Sequence, residues 1–372
     1  MACRSDRVRG AVTIESTVPF VDLTRRAAIA APSFGDAVDR VMASGRYLLG
    51  AETSAFEFEL AAHAARDSGV ALEAVAVSSG ASALQLALRG IGVGAGDEVI
   101  VPAFTAVPTA AAVCAVGATP VFVDVDEATA CIDLGGIAAA RTVRTKAIIV
   151  VHLYGYASPL PDTDLPVIED CAQAHGALRW PRPAASRAVC LSFYPTKNLG
   201  GIGDGGAVLS SDWQFIETVR NRRVHSMEAG YQHIDVSMNF RMSEIEAAWL
   251  RIGLAGLDDH NRTRRAIADR YRFAAPALDW QASHENHVNH LAVVRVSDRD
   301  LFRAFMGDRG ISTACQYPVA LPDQPAYEKF STMPTPISCA WARECVSMPC
   351  YPEMFEQEIV RAERALADWK LL

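Results

Sequence analysis

Short apolar runs rich in β-branched residues recur through the first part of the chain, each followed by residues that cannot extend a strand. Val75–Val77, Glu98–Val101, Pro120–Val125, Ala147–His152, Pro166–Glu169, Ala188–Phe193 and Gly206–Ser210 all have strand length, and several are apolar without alternation. A run of that kind is a strand covered on both faces, as in a mostly parallel sheet between helices. Ala83–Leu88, Thr109–Val116 and Asp212–Arg223 read as helices between the runs, so the chain alternates in the α/β manner. A long amphipathic stretch, Met242–Ala274, then leads away from the sheet. Ligands of open α/β sheets collect at the carboxyl ends of the strands. A functional site is therefore sought in the residues that follow these runs.

Two such segments carry reactive groups. In LSFYPTKNLGGIGDGGAVLSS (191–211), Lys197 stands between a proline and a run of glycines, at a strand-to-loop junction. In Val167-Ile168-Glu169-Asp170-Cys171-Ala172-Gln173 an apolar strand ends in carboxylates. Pyridoxal phosphate chemistry needs this pair: an amine to form an imine with the cofactor aldehyde, and a carboxylate to keep the pyridine nitrogen protonated. A glycine-flanked lysine is more commonly a solvated loop residue, so the rest of the site has to decide. The glycines Gly200, Gly201, Gly203, Gly205 and Gly206 precede a strand and open no helix, the wrong context for a dinucleotide fingerprint, and no GKS or GKT marks a P-loop. They are expected to let backbone pass close to a bulky ligand or to turn tightly. A third segment, Val75–Ser82, runs from a buried strand into a Ser-Gly turn that opens a helix. The unpaired N–H groups at such a helix start suit a phosphate, although an ordinary serine N-cap has the same sequence.

The ordered motifs SGRYLLGAETSAFE (44–57), SSGASAL (78–84), GDEVIVPAFTAVPT (96–109), GATPVFVDVD (117–126), VHLYGY (151–156), IEDCAQAHGA (168–177), SFYPTKNLGGIGDGG (192–206), NFRMSEIEAAWL (239–250) and MPCYPEM (348–354) resemble the DegT/DnrJ/EryC1/StrS family of sugar aminotransferases. The resemblance implies a fold-type I α/β architecture: a large, mostly parallel seven-stranded sheet domain flanked by helices (18–255), a smaller C-terminal α/β domain (256–372) and a loose extension (1–17). It implies pyridoxal 5'-phosphate as cofactor, with Lys197 as the covalent anchor and Asp170 at the pyridine nitrogen. Gln173 would bond the cofactor's 3-oxygen. Gly80, Ser192 and the N–H groups of Ala81 and Ser82 would hold the phosphate, joined by Asn239 from the neighbouring subunit of a homodimer with shared active sites. Two positions depart from the family's habit. Ala81 stands where a threonine is usual, and Ala106 where an aromatic ring often stacks on the cofactor. The substrates implied are an amino donor, glutamate by resemblance, and a nucleotide-linked keto-sugar. Dehydratase relatives carry histidine at the lysine position, so Lys197 favours transamination; a non-catalytic regulator of the same fold is the other alternative.

Composition sets further bounds. No run among the 372 residues approaches a membrane span, and the first sixteen residues lack the apolar stretch of a signal peptide. A net charge of −8 argues against nucleic acid as partner. Nine cysteines without a CxxC pair fit a reducing cytoplasm. His284, His287 and His290 recur every third residue, but they enter a strand (Leu291–Val296) whose period of two separates them, so no metal site is expected. The arginines 262, 264, 265, 270 and 272 read as a solvated helix face. The connection from Tyr156 to Ile168 is short for a crossover helix and is expected to be a loop that leaves one sheet face thinly covered.

Overall fold

The computed structural model of the chain describes residues 17–369 apart from 67, 179, 229 and 230; nearly all of the expected N-terminal extension lies outside the described residues. The apolar runs form one sheet of seven strands: β1 (Glu73–Val77), β2 (Glu98–Pro102), β3 (Thr119–Val123), β4 (Thr145–Val151), β5 (Val167–Asp170), β6 (Ser186–Ser192) and β7 (Gly206–Ser210). Their order is β1-β7-β6-β5-β4-β2-β3. The strands from β3 to β6 pair in parallel, and β7 alone is reversed, antiparallel to both β6 and β1. Strands β2, β5 and β7 are buried along their whole length, which is why their sequences do not alternate.

Helices α1 (Leu23–Ser44), α2 (Ala51–Ala65), α3 (Gly80–Gly90), α4 (Val107–Ala115), α5 (Ile137–Ala140) and α6 (Trp213–Arg222) accompany the sheet. Neither α1 nor α2 is expected from the sequence: α1 carries Pro32 within it, and α2 has no sharp apolar stripe. The N-terminus of α2 is closed from far away: the Glu244 carboxylate accepts the N–H groups of Gly50 (2.9 Å), Glu52 (2.8 Å) and Thr53 (3.0 Å). A carboxylate at the positive end of a helix stabilises it, and here it ties two distant sequence motifs together.

A short hairpin, β8 (Met227–Glu228) and β9 (Gln232–His233), follows α6. The long amphipathic stretch is two helices, α7 (Glu244–Ala255) and α8 (Leu257–Ala274), broken at Gly256. They part because their buried faces differ: α7 buries Ala247, Ala248, Trp249 and Leu250 in a row, whereas α8 buries a narrow stripe through Ile267, Ala268 and Tyr271. A second sheet then forms from β10 (Asp279–Trp280), β11 (Ala292–Arg295) and β12 (Cys345–Met348) with helices α9 (Arg299–Asp308), α10 (Pro336–Glu344) and α11 (Glu356–Trp369). Its core holds Phe302, Met306, Val346 and Leu366, together with Val18 from the other end of the chain.

The connection between β4 and β5 is a loop after a single turn at Leu153–Gly155, as its length required. The sheet face beneath it is better covered than expected. Leu160 and Leu165 from the loop pack on Ile148, Val150 and Val167, and the Ser158 N–H donates to His152 Nδ1 (2.9 Å). Among the described residues, no helix is long and apolar enough to cross a membrane.

Candidate active site

Strands β1, β5 and β6 end at the same edge of the sheet, and β7 begins there. At the end of β1, Ser79 caps α3, its hydroxyl accepting the Ser82 N–H (3.1 Å), while the Ser78 and Ser79 hydroxyls lie 2.9 and 2.8 Å from that of Ser82. The N–H groups of Gly80 and Ala81 point out of the first turn, where a helix has no acceptors of its own. Ser192, at the end of β6, packs on this turn so closely that a Cβ on Gly80 would fall 2.6 Å from its Cβ. Gly80 is therefore required by close approach, and Gly80, Ala81, Ser82 and Ser192 form one cradle of N–H and hydroxyl donors. Such a donor set fits a phosphate. Ala81 brings no hydroxyl, but Ser78, Ser79 and Ser82 bring three to the same turn.

Two of the glycines after Lys197 make room for the chain itself. A side chain on Gly201 would overlap the Glu246 carboxyl, and one on Gly206 the Ser79 carbonyl. Arg26 of α1 braces the loop by donating to the Pro195 and Lys197 carbonyls, each at 3.3 Å, and is held by Glu353.

Asp170 closes β5 and is 5 % exposed. Its Oδ2 accepts the Thr109 hydroxyl (3.0 Å) and its Oδ1 the Ala172 N–H (3.1 Å). Burial pushes this carboxyl up, against the pull of Ala172, Thr109 and the Lys197 charge. A desolvated carboxylate of this kind has an unmet demand for a cation, and a pyridinium N–H meets it. Burial likewise pulls the Lys197 ammonium down to about 8, with Asp170 opposing. Gln173 is fixed by its Oε1, which accepts the Tyr154 N–H (2.6 Å); its Nε2 then donates to the Tyr317 hydroxyl (3.1 Å) and keeps a second N–H for a ligand oxygen. Lys197, Gln173 and Tyr317 line one cavity of about 370 Å³, with His290 and Arg264.

The neighbouring carboxylate, Glu169, faces away from this cavity. It is fully buried and bound by His152 (2.8 Å), by Arg182 through two nitrogens (2.9 and 2.6 Å) and by the Ser186 hydroxyl (2.5 Å). Burial pushes its carboxyl up, but the bonds from His152 and Arg182 outweigh that and hold it at about 2. With every lone pair engaged, Glu169 joins the sheet to the loop beyond it.

Two of the expected residues stand apart. Ala106 caps α4, its carbonyl accepting the Thr109 N–H (3.2 Å), and its methyl gives no ring to stack. Asn239 is exposed, with its Oδ1 taken by the Arg241 N–H groups (3.2 and 2.8 Å). It reaches none of the other site residues within its own chain.

Thr109, Tyr317, His290 and Arg264 are not among the site residues expected from the sequence. Thr109 had a signal, lying one helical turn past Ala106 in a motif already noted. Arg264 corrects the reading of a solvated helix face. The three histidines do not act together: His284 and His287 lie 6.4 Å apart beside Tyr156, whereas His290 turns to Asn198. Among the basic residues of α8, Arg262 and Arg270 are surface ion pairs, but Arg264 is 2 % exposed and donates to the carbonyls of His290 and Cys350.

A buried lysine and a buried carboxylate whose charges act on each other, beside a helix start that suits phosphate, are the parts a pyridoxal-phosphate enzyme needs. The chain belongs to the DegT/DnrJ/EryC1/StrS aminotransferase family, whose model matches residues 30–366. It is a pyridoxal-phosphate-dependent transaminase. It is 39% identical over 368 residues to dTDP-3-amino-3,4,6-trideoxy-alpha-D-glucose transaminase of Streptomyces venezuelae, covering 95% of this chain and 96% of that one. Identity is 37% to UDP-N-acetyl-3-dehydro-alpha-D-glucosamine 3-aminotransferase of Acidithiobacillus ferrooxidans, over 94% and 97% of the two chains. The crystal structure of S. venezuelae DesV in complex with a ketimine intermediate superimposes with a TM-score of 0.88 at 38% identity, covering 95% of this chain and 98% of that one.

Proposed function

We propose that the enzyme transfers an amino group from an amino acid, glutamate by family resemblance, to a keto-sugar linked to a nucleoside diphosphate. The observation that carries the chemistry is the pairing of a desolvated Asp170 with a lysine whose ammonium is pulled down to about 8. At pH 7 about a tenth of such a lysine is neutral, against about one part in 2,500 for an ordinary one near 10.4. Lys197 can therefore take a proton from the substrate carbon and return it, close to its optimum as a general base. Pyridoxal phosphate, when bound, supplies the aldehyde that takes the amino group and the ring that receives the electrons of the broken C–H bond. Asp170 holds the positive charge on that ring. The Gly80–Ser82 turn and Ser192 would hold the phosphate, and the free Nε2 hydrogen of Gln173 would serve the 3-oxygen. The substrate half of the reading is supported by the sugar transaminases the chain is similar to. The test is turnover of the holoenzyme with glutamate and a panel of nucleotide-linked 3- and 4-keto-sugars, scored by amino-sugar product and its stereochemistry. At least one keto-sugar is expected to accept the amine, and a panel with no acceptor would defeat the proposal.

The working unit in this reading is a dimer of the chain, and its two lobes meet near Gly256. Support for the dimer is the exposed apolar strip Tyr231, Ile234, Val236 and Met238 that leads into Asn239. A strip of this kind is costly in water, and a partner subunit would cover it. Mixing Lys197→Ala subunits with Asn239→Asp subunits, each weak alone, should restore about one intact site per heterodimer. Subunits that exchange without recovering activity would return Asn239 to a role within its own chain.

A further inference from the structure

His290 lies at the end of a buried chain of amides whose polarity can be read from one end. The His175 backbone carbonyl can only accept, so the Asn261 Nδ2 donates to it (2.8 Å). Asn261 then presents its Oδ1, which accepts from Asn198 Nδ2 (2.8 Å), and the same Nδ2 donates to the Val288 carbonyl (3.1 Å). The oxygen of Asn198 is left facing His290 Nδ1 at 3.1 Å, so that nitrogen must carry the hydrogen. Every link is buried, and Asn198 directly follows Lys197 in the chain. A neutral imidazole with its proton fixed on Nδ1 presents a lone pair at Nε2. That atom has no hydrogen-bond partner among the described residues, and the ring lines the cavity that holds Lys197.

Resting on the proposed sugar transfer, we infer that His290 Nε2 accepts a hydrogen bond from a hydroxyl of the sugar ring and so selects among acceptor substrates. The electrostatics favour a hydroxyl over an ammonium group. Burial drives the imidazole well below its ordinary range, and the charges of Lys197 and Arg264 drive it the same way. Arg264 is a buried cation whose Nε and Nη2 find no partner among the described residues. A second ammonium would meet repulsion from both, whereas a neutral hydroxyl can donate to Nε2 at no such cost. The same depression removes His290 as a base, which makes it a specificity-determining residue.

The experiment separates the two half-reactions of the holoenzyme. His290→Phe removes the acceptor, and His290→Gln returns an oxygen near the position of Nε2. For a keto-sugar accepted by the wild type, His290→Phe should lose roughly 10- to 100-fold in kcat/KM, the cost of an unmade bond to a buried polar group. His290→Gln should recover most of it, and the glutamate half-reaction should stay within about threefold of wild type in both. One monodeoxy keto-sugar should show no difference between wild type and His290→Phe, because the bond is already missing. Equal losses in the glutamate half-reaction, or a loss untouched by removal of any hydroxyl, would overturn the assignment. Were His290→Phe not to fold, the same comparison with His290→Gln and the deoxy series decides: a hydroxyl-independent pattern overturns the assignment. Should no keto-sugar accept the amine, the sugar reading falls with it; should one do so while His290 is indifferent to hydroxyls, His290 alone falls.

Discussion

Lys197→Ala is expected to abolish turnover while leaving the fold and non-covalent cofactor binding in place. The side chain enters the cavity from a loop whose backbone is held by Arg26, so its removal does not release the loop. Borohydride reduction of the holoenzyme followed by peptide mapping should place the pyridoxyl label on Lys197. Lys146, exposed on the outer end of β4, is the natural control, and a label there would sink the assignment. The sign of the pH dependence follows from the neutral amine being the nucleophile. Burial brings the Lys197 ammonium to about 8, so covalent capture of pyridoxal phosphate by the apoenzyme should speed up as pH rises and level off above about 8. An ordinary exposed lysine would still be accelerating there.

Asp170→Asn should keep the shape of the site and lose about a hundredfold or more in rate, the usual scale for removing a preorganised charge from a water-excluded site. The cost falls on the chemical step, so single-turnover rates with saturating glutamate are the measurement. Near-normal rates would mean that the wrong carboxylate has been chosen. Glu169→Gln is the matched control one residue away. Its carboxylate, held at about 2, contributes stability above its unfolded value near 4.3, and that contribution is lost as pH falls through about 2. Removing its charge weakens the bonds from Arg182 and His152, so the expected phenotype is a lower melting temperature with a largely intact rate per folded molecule.

The sheet was legible because buried strands leave a local record. β5 and β7 are apolar on both faces, and no partner needs to be known to read them. Lys197 and the carboxylates of β5 were legible as chemistry at strand ends. The choice of Asp170 over the adjacent Glu169 came from the family resemblance, not from the local pattern. Alternation puts Glu169 and Asp170 on opposite faces, but only the positions of Arg182, His152 and Thr109 show which face is the cavity. The arginines of α8 illustrate the same limit. Arg264 and Arg262 are alike in composition and close in sequence, yet one is sealed under the His290 and Cys350 carbonyls and the other is on the surface. Helix periodicity gives a side chain an angle, and the neighbour at that angle comes from elsewhere in the chain.

By itself, then, the sequence determined the α/β alternation, the strand bounds to within a few residues, and the strand-end places of Lys197 and of the Ser-Gly turn. These are properties of short windows, set by propensity, burial pattern and turn chemistry. The tertiary structure alone decided the break at Gly256, the cover that Leu160 and Leu165 give the sheet, the hold of Thr109 on Asp170, and the lone pair that His290 turns to the cavity. Each of those depends on groups far apart in sequence meeting within hydrogen-bond or van der Waals range, and such meetings leave no mark in any single window.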